Sequence, residues 1–387
     1  MSTSPGSNAS DPRLDPESAP PAGWHRVPGL PPWSVAVPIG ALLTLALVWG
    51  RPLDIPLGLL ETAALFLAVL TAIHHAEVVA HRVGEPYGTL VLAVAVTVIE
   101  VALIVSLMLA GGESANTLAR DTVFAAVMIV CNGVVGLCLV LGGLRHGVLA
   151  FRVEGTSPAL ASLAALAGLA LVLPSFTTTT PGPTYSGSQL AFAGIASLTL
   201  YGVFVFVQTV RHRDYFLPAQ AADGGDNIES HAPPPPTWVA WTSLGLLLLS
   251  LVGVVGLAKA LALALEAGVA AIGAPKAAAG VVIAMIVLLP ETGAAVRAAL
   301  GNRMQSSLNL ALGSGLASIG LTIPVVAAVS ALFPFPLVLG LPPSQIVLLM
   351  LSLIVGTLTL GSGRATVMQG AVHLVIFAAF LFLAVVP

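Results

Sequence analysis

The chain has 387 residues, of which 57 % are hydrophobic and only 8 % are charged, with a mean hydropathy of +0.99 and a formal net charge of −3. A soluble domain carries about 25 % charged residues, so this composition excludes a soluble fold. A transmembrane barrel would show short alternating segments instead of long apolar runs. The sequence therefore predicts an all-α polytopic membrane protein.

Long apolar segments follow an N-terminal region of different composition. Residues 1–33 are rich in Ser, Pro, Asp and Gly and lack the basic start of a cleaved signal, which is typical of a disordered tail. A helix needs about 20 apolar residues to cross a bilayer. About 11 segments fit, near residues 34–50, 56–75, 86–111, 121–144, 157–174, 188–210, 238–262, 276–298, 304–333, 343–361 and 366–386.

One long polar interruption, residues 211–237, divides the spans into two comparable groups. We interpret 34–55 as an extra first helix and loop, 56–210 as a first five-helix repeat, and 238–387 as a second. An odd number of spans per repeat places the two repeats in opposite orientations, as in many secondary transporters.

The basic residues predict the orientation. With the N-terminus inside, ten arginines fall on the inner side and four basic residues on the outer side. Because positive charge is retained in the cytoplasm, this distribution predicts a cytoplasmic N-terminus and a cytoplasmic central linker.

Two glutamates lie deep in predicted spans, one in each half of the chain. Glu100 is fourteen residues after Pro86, and Glu291 is sixteen residues after Pro275. Entering from opposite faces, both reach about 21–24 Å into the protein. A carboxylate at bilayer depth costs about 2.5–3.5 kcal/mol on insertion scales and marks an ion pathway or binding site by default. We therefore expect the two acids to meet near the midplane.

Oxygen-bearing residues accompany both acids. Thr97 is one turn before Glu100, Thr292 follows Glu291, and Asn132 and Asn309 lie in the next span of each half. Such oxygen ligands suit hard cations, either Ca²⁺ or Na⁺. The alternatives are that the threonines bond their own helices and that Ser306, Ser314 and Ser318 only allow close helix packing. Glu61, near the start of a span, is interpreted as interfacial.

Pro290 precedes Glu291 and has no N–H to donate to the carbonyl of Ile286. That carbonyl oxygen is therefore free at the depth of the carboxylate. Two facing carboxylates in a dry site cannot both stay ionised without a cation. Two protons or one divalent cation neutralise the charge of such a site, and one Na⁺ with one H⁺ does so equally well. The electrostatics alone predict exchange of a cation for protons.

A polar cluster precedes the first acid. Three histidines and two acids occur within one short stretch, at one predicted mouth of the protein: His74, His75, Glu77, His81 and Glu85. Such residues can sense pH or gather cations. The alternative is a polar cap on a helical hairpin, and a remote one is an intramembrane metalloenzyme that uses these histidines.

Several long stretches resemble a known family. They are HAEVVAHRVGEPYGTLVLAVAVTVIEVALIVSLML, RDTVFAAVMIVCNG, LLPETGAAVRAALGNRMQSSLNLALGSGLASIGLTIPVV and GRATVMQGAVHLVIFAAFLFLAVVP. In these the chain is similar to bacterial ChaA-like calcium/proton antiporters of the cation/calcium exchanger superfamily. The resemblance implies two inverted five-helix repeats plus an extra first helix, and an ion site on Glu100 and Glu291 that Asn132 and Ser314 complete.

The resemblance also implies the activity. Family members exchange Ca²⁺, and in this branch also Na⁺ or K⁺, for H⁺. The Gly-Asn pair that precedes each signature acid in the wider superfamily is missing here, and Gln305 stands where relatives often carry an aspartate. We expect a non-enzymatic Ca²⁺/H⁺ antiporter of the bacterial inner membrane, with Na⁺/H⁺ or K⁺/H⁺ exchange as the alternative. Beyond the ions and the lipid bilayer we expect no cofactor, nucleotide or nucleic acid, since no phosphate-binding loop is present.

Overall fold

Long apolar segments fold into helices in the computed structural model, which describes residues 30–51, 55–84, 87–110, 115–217, 234–271, 273, 275, 277–333 and 337–386. Glu85 and most of the predicted tail and linker lie outside these residues. The described helices are α1 (Pro32–Val48), α2 (Ile55–Val83), α3 (Tyr87–Ala110), α4 (Ala115–Met128), α5 (Val135–His146), α6 (Val153–Ala167), α7 (Gly187–Phe206), α8 (Thr237–Ala271), α9 (Ala277–Leu300), α10 (Met304–Leu332), α11 (Pro343–Leu360) and α12 (Val367–Val385).

Several of these helices continue through irregular turns. A π-helical turn over Ile129–Val134 joins α4 and α5 into one span, and similar turns end α6 and α7. Helix α9 bends by 51° between Leu289 and Glu291, on either side of Pro290. A proline removes one backbone hydrogen bond and clashes with the preceding turn, which accounts for the bend.

Membrane-spanning helices dominate the described part of the chain. Eight helices are long and apolar enough to cross a bilayer, the bent α9 gives a ninth, and α1 is a shorter apolar helix. Two short strands, β1 (Leu149–Ala150) and β2 (Arg364–Ala365), pair antiparallel and tie the end of α5 to the start of α12. The all-α polytopic fold class is confirmed, whereas the number of spans and the inverted repeat stay predictions.

The helices pack into two apolar groups. The larger group surrounds α4, α5, α6 and α10, and the smaller one joins α1, α2 and α8. Arg82 Nη2, at the end of α2, donates to Thr237 Oγ1, at the start of α8, over 2.8 Å, so these two long helices run antiparallel. Helix α3 connects the groups, since its Leu103 packs in the smaller one and its Ile104 in the larger one.

Helices α5 and α12 approach closely through glycine. A Cβ at Gly370 of α12 would lie 2.7 Å from the backbone nitrogen of Val140 and 2.9 Å from the carbonyl oxygen of Gly136. Small residues at a helix interface are typical of membrane proteins, because close packing replaces the hydrophobic effect as the source of association.

We expect Gly370→Ala to destabilise the protein by about 1–3 kcal/mol, because backbone atoms of α5 must move to admit the methyl group. Thermal unfolding of the detergent-solubilised protein measures this. The matched control is Gly202→Ala on α7, where no atom lies within 4 Å of the added Cβ. Equal melting temperatures for the two variants would contradict the tight contact.

Candidate functional site

Glu100 is held inside the membrane domain by a serine of another helix. It lies on α3, and its side chain is only 5 % exposed. Ser318 Oγ on α10 donates a hydrogen bond to Glu100 Oε1. Ser318 itself is 1 % exposed, so this hydrogen bond is made away from the protein surface.

Glu291 is held in the same way by the same helix. It directly follows the bend in α9, and Ser314 Oγ on α10 donates to Glu291 Oε2. Ser314 and Ser318 are four residues apart and share one face of α10. One helix face therefore holds the two glutamates of the two halves.

A cavity of about 670 Å³ leads to one of the two acids. Glu291 and Ser314 line it, and Glu77 and Arg297 stand at its exposed end. Arg297 lies on the predicted cytoplasmic side. Glu100 does not line this cavity. The site is thus reached from one side, through Glu291.

The first predicted asparagine ligand belongs to a neighbouring polar network. Asn132 lies in the π-helical turn, is fully buried and donates from Nδ2 to Ser352 Oγ over 2.8 Å. Its Oδ1 is 3.2 Å from His373 Nδ1, and His373 Nε2 is 3.1 Å from Thr359 Oγ1. In this conformation Asn132 is hydrogen-bonded to side chains of α11 and α12. It would have to give up these partners in order to bind a cation.

The second predicted asparagine ligand joins α10 to loops on the predicted cytoplasmic side. Asn309 Nδ2 donates to the carbonyl oxygen of Phe216 over 2.6 Å, and its Oδ1 accepts from Gln305 Nε2 over 2.9 Å. Gln305 Oε1 in turn accepts from the backbone nitrogen of Arg152 over 2.7 Å. Asn309 also lines the cavity, so it lies on the way to Glu291.

The two threonines differ in their surroundings. Thr292 Oγ1 donates to Leu288 O of its own helix over 2.7 Å, which is the alternative that the sequence left open. Thr97 is 4 % exposed and lies one turn before Glu100 on α3.

The histidine cluster is divided among different partners. The ring of His74 lies 4.8 Å from that of Trp33, and His75 Nε2 is 2.9 Å from the carbonyl oxygen of Ser34. His81 and Glu77 are exposed. Within the described residues no three His, Cys, Asp or Glu side chains are arranged to hold a metal ion, so this geometry offers no support for a metalloenzyme. His74 and His75 attach α1 to α2.

Sequence reasoning missed Ser318, which it interpreted as a packing residue. The signal was present, since Ser314 and Ser318 are spaced by four residues, and one helix face can therefore serve two acids. Only the structure shows that α3 and α9 both pack against this face of α10.

Comparisons with known proteins agree with this architecture. A family model described as sodium/calcium exchanger protein matches residues 55–210 and 242–386. The chain is similar to y4hA of Sinorhizobium fredii, which is named as an ionic transporter, with 50 % identity over 361 residues that cover 92 % of this chain and 97 % of that protein. It is also similar to the sodium-potassium/proton antiporter ChaA of Escherichia coli K12, with 35 % identity, 90 % coverage of this chain and 94 % of ChaA.

A solved structure shares the fold. The Ca²⁺/H⁺ antiporter protein YfkE superposes with a TM-score of 0.66 at 16 % sequence identity, covering 92 % of this chain and 99 % of YfkE. At this identity the likeness establishes the arrangement of helices and no more.

We expect Ser318→Ala and Ser314→Ala each to weaken cation binding about tenfold or more, because a hydrogen bond to a charged acceptor contributes about 1.5–3 kcal/mol. Isothermal titration of the purified protein with Ca²⁺, Na⁺ and K⁺ measures this. The control is Ser306→Ala, which removes a partly buried hydroxyl from the same helix away from both acids. Wild-type affinity in both serine variants would show that these hydroxyls only pack.

Proposed function

This chain belongs to the sodium/calcium exchanger protein family, and from that premise we propose that it exchanges a cation for protons at Glu100 and Glu291, most favourably Ca²⁺ for H⁺. The chain is a multi-pass membrane protein and a secondary antiporter rather than an enzyme, as its relatives are. We place it in the bacterial inner membrane with a cytoplasmic N-terminus, where it exports the cation.

One observation carries the proposal: the two glutamates, one from each half of the chain, accept hydrogen bonds from two serines on one face of α10. Either oxygen of such a carboxyl can take a proton, and both carboxyls can face one cation. A buried pair of negative charges without a counter-charge costs several kcal/mol. The site is therefore stable when it holds two protons or a cation, and unstable when it is empty.

Exchange follows from this instability. In the proposed cycle, a cation that enters through the cavity displaces the protons from Glu291 and Glu100. The protein then changes conformation, so that the occupied site opens to the opposite side of the membrane. There protons replace the cation, and the protonated site returns. Because the empty dianion is too costly to occlude, the carrier reorients only when it is loaded, which couples the two flows.

The cavity supports the first step. It brings the solvent of one side to Glu291 and Ser314, while Glu100 stays buried behind them. The wall opposite α9 is formed in part by Phe66, Leu67 and Leu70 of α2. We propose that an outer helix pair, α2 and α8, moves against a fixed site to close this cavity and open the other side.

Exchange of Na⁺ or K⁺ for H⁺ is the second candidate, and one feature favours it. Gln305, at the position where relatives often carry an aspartate, bonds Arg152 N and Asn309 and is turned away from the acids. The site then offers two carboxylates and two serine hydroxyls, at most six oxygens and only the lower end of the six to eight ligands of a Ca²⁺ site. The relative ChaA is named for sodium, potassium and protons.

We expect a proton gradient across proteoliposomes to collapse when the exchanged cation is added to the wild-type protein, and Glu100→Gln and Glu291→Gln each to abolish this response. A neutral amide can neither release a proton nor compensate a divalent cation. Ca²⁺, Na⁺ and K⁺ are added separately, with a pH-sensitive dye as the readout, so the same measurement identifies the cation.

The matched control is Glu154→Gln, which removes an exposed carboxylate of α6 outside the cavity lining and leaves the pair intact. We expect it to keep exchange. Full activity in both site variants would show that the two glutamates have only a structural role. Activity that remains when Ca²⁺ is chelated would assign the exchange to a monovalent ion.

Protons and the cation compete for the same carboxylates, so the apparent cation affinity should fall as the pH is lowered. Two protons compete with one Ca²⁺ and one proton competes with one Na⁺. At pH values where both acids are protonated in the empty site, we expect about a hundredfold or about a tenfold loss per pH unit respectively, by linkage. Titration of cation binding at several pH values measures the slope, and a pH-independent affinity would contradict the shared site.

A further inference from the structure

A third intramembrane glutamate lies outside the described site. Glu61 is six residues into α2, its side chain is fully buried, and neither of its carboxyl oxygens has a hydrogen-bond partner. The sequence pattern suggested an interfacial residue, but α1, α2 and α8 pack together around this part of the helix.

The surroundings of Glu61 are apolar. Glu61 begins the buried stripe of α2 that continues with Leu65, Ala68 and Ala72 at helical spacing. This stripe packs in one cluster with Val48 of α1 and with residues of α8. The carboxyl group therefore lies inside a dry helix interface.

Few charged groups face Glu61 from the neighbouring helices. Helix α1 carries none but is followed by the exposed Arg51, α3 carries Glu100, the part of α8 whose side chains are described carries Lys259, and α9 carries Glu291 and Arg297. The other titratable residues of α2 begin at His74, thirteen residues further on and about 20 Å away along the helix.

Lys259 is the charged residue of α8 at the level of Glu61. Arg82 contacts Thr237 at the opposite end of this antiparallel pair. Glu61 lies 21 residues before Arg82, and Lys259 lies 22 residues after Thr237. Both helices rise about 1.5 Å per residue, so the two residues reach the same height. Yet no ion pair is formed, since both carboxyl oxygens are without a partner.

We propose that Glu61 is a proton-binding site separate from the Glu100–Glu291 pair, and that it carries a proton in the helix packing seen here. Burial without a partner disfavours a carboxylate far more than the neutral acid. The reaction is a simple exchange with water, in which the carboxylate takes up one proton and the neutral acid releases it. Release requires that Glu61 reach water or the ammonium of Lys259.

The site is coupled to access because α2 carries it. The same helix forms the cavity wall with Phe66, Leu67 and Leu70. In the proposed movement of the α2–α8 pair, α2 also shifts along α8, so closing the cavity changes the surroundings of Glu61. A proton on Glu61 therefore stabilises the arrangement with the open cavity, and loss of that proton favours the other arrangement.

Infrared spectroscopy of the full-length protein in lipid tests the site directly. A carboxylic acid without a hydrogen bond absorbs at a higher frequency than acids bonded to serine. We expect this band at neutral pH in the wild type and in the Glu100→Gln, Glu291→Gln double variant, and we expect Glu61→Gln and Glu61→Leu to lack it. Glu61→Leu suits the apolar cluster and keeps the test valid if the amide variant does not fold.

Two results would overturn the proposal. One is a wild-type spectrum that Glu61→Leu leaves unchanged. The other is a band that appears only in Lys259→Met, because Glu61 would then be ionised by Lys259 in the wild type. Neither readout needs exchange activity, so failure of this proposal and failure of the proposed function are distinguishable.

Labelling measures the coupling. Gln208→Cys places a thiol in the cavity, while the native Cys131 and Cys138 are buried. The labelling rates are corrected for the pH dependence of thiol reactivity, which is measured on a small model thiol. We then expect the introduced thiol to be labelled about fivefold or more faster at acid than at alkaline pH, which is a typical strength of coupling between two sites. In the Glu100→Gln, Glu291→Gln double variant, where the main site no longer titrates, this pH dependence should remain, and it should disappear when Glu61→Gln is added. An unchanged pH dependence would show that Glu61 is not coupled to the cavity.

Discussion

The hydrogen bonds from Ser314 and Ser318 to Glu291 and Glu100 are the contacts on which the membrane site depends. Each acid is costly at bilayer depth, so its burial is tolerated only where partners compensate it. Both partners come from one helix, which must therefore pass between α3 and α9 at a fixed height. Gly315, between the two serines, sets that position, because the side chain of Val130 lies within 3.3 Å of where its Cβ would be.

The π-helical turn between α4 and α5 helps to hold α10 in this position. Val130 belongs to the π-helical turn that also contains Asn132, and the bonds of Asn132 to Ser352 and His373 hold this turn against α11 and α12. That network satisfies its own polar groups and leaves none for the acids. The membrane domain thus contains a fixed polar scaffold beside the two carboxyls that we propose exchange protons and cations. Turns of this kind are frequent at functional sites.

Sequence reasoning predicted the fold class correctly, because hydropathy depends on local composition, and it singled out Glu100 and Glu291 because charged residues are rare in apolar spans. It could not predict the partners of Asn132 and Asn309. A buried amide can bond other protein groups or a bound cation equally well, and which of these it does depends on which helices pack together. Ser318 and Glu61 were misjudged for the same reason. A serine becomes a partner, and a glutamate becomes buried, only through the neighbouring helices that cover them.

Charge balance at the site is met by one divalent cation, by two protons, or by a monovalent cation with one proton. The choice of cation therefore depends on how many oxygens replace its water. The two carboxyls and two hydroxyls supply at most six oxygens, the lower end of the six to eight that Ca²⁺ binds, so any further ligands must come from water or from backbone. The bend of 51° beside Glu291 is where backbone oxygen is released, since Pro290 leaves a carbonyl of the preceding turn without its donor. Selectivity then rests on the geometry of α9 as much as on the acids themselves.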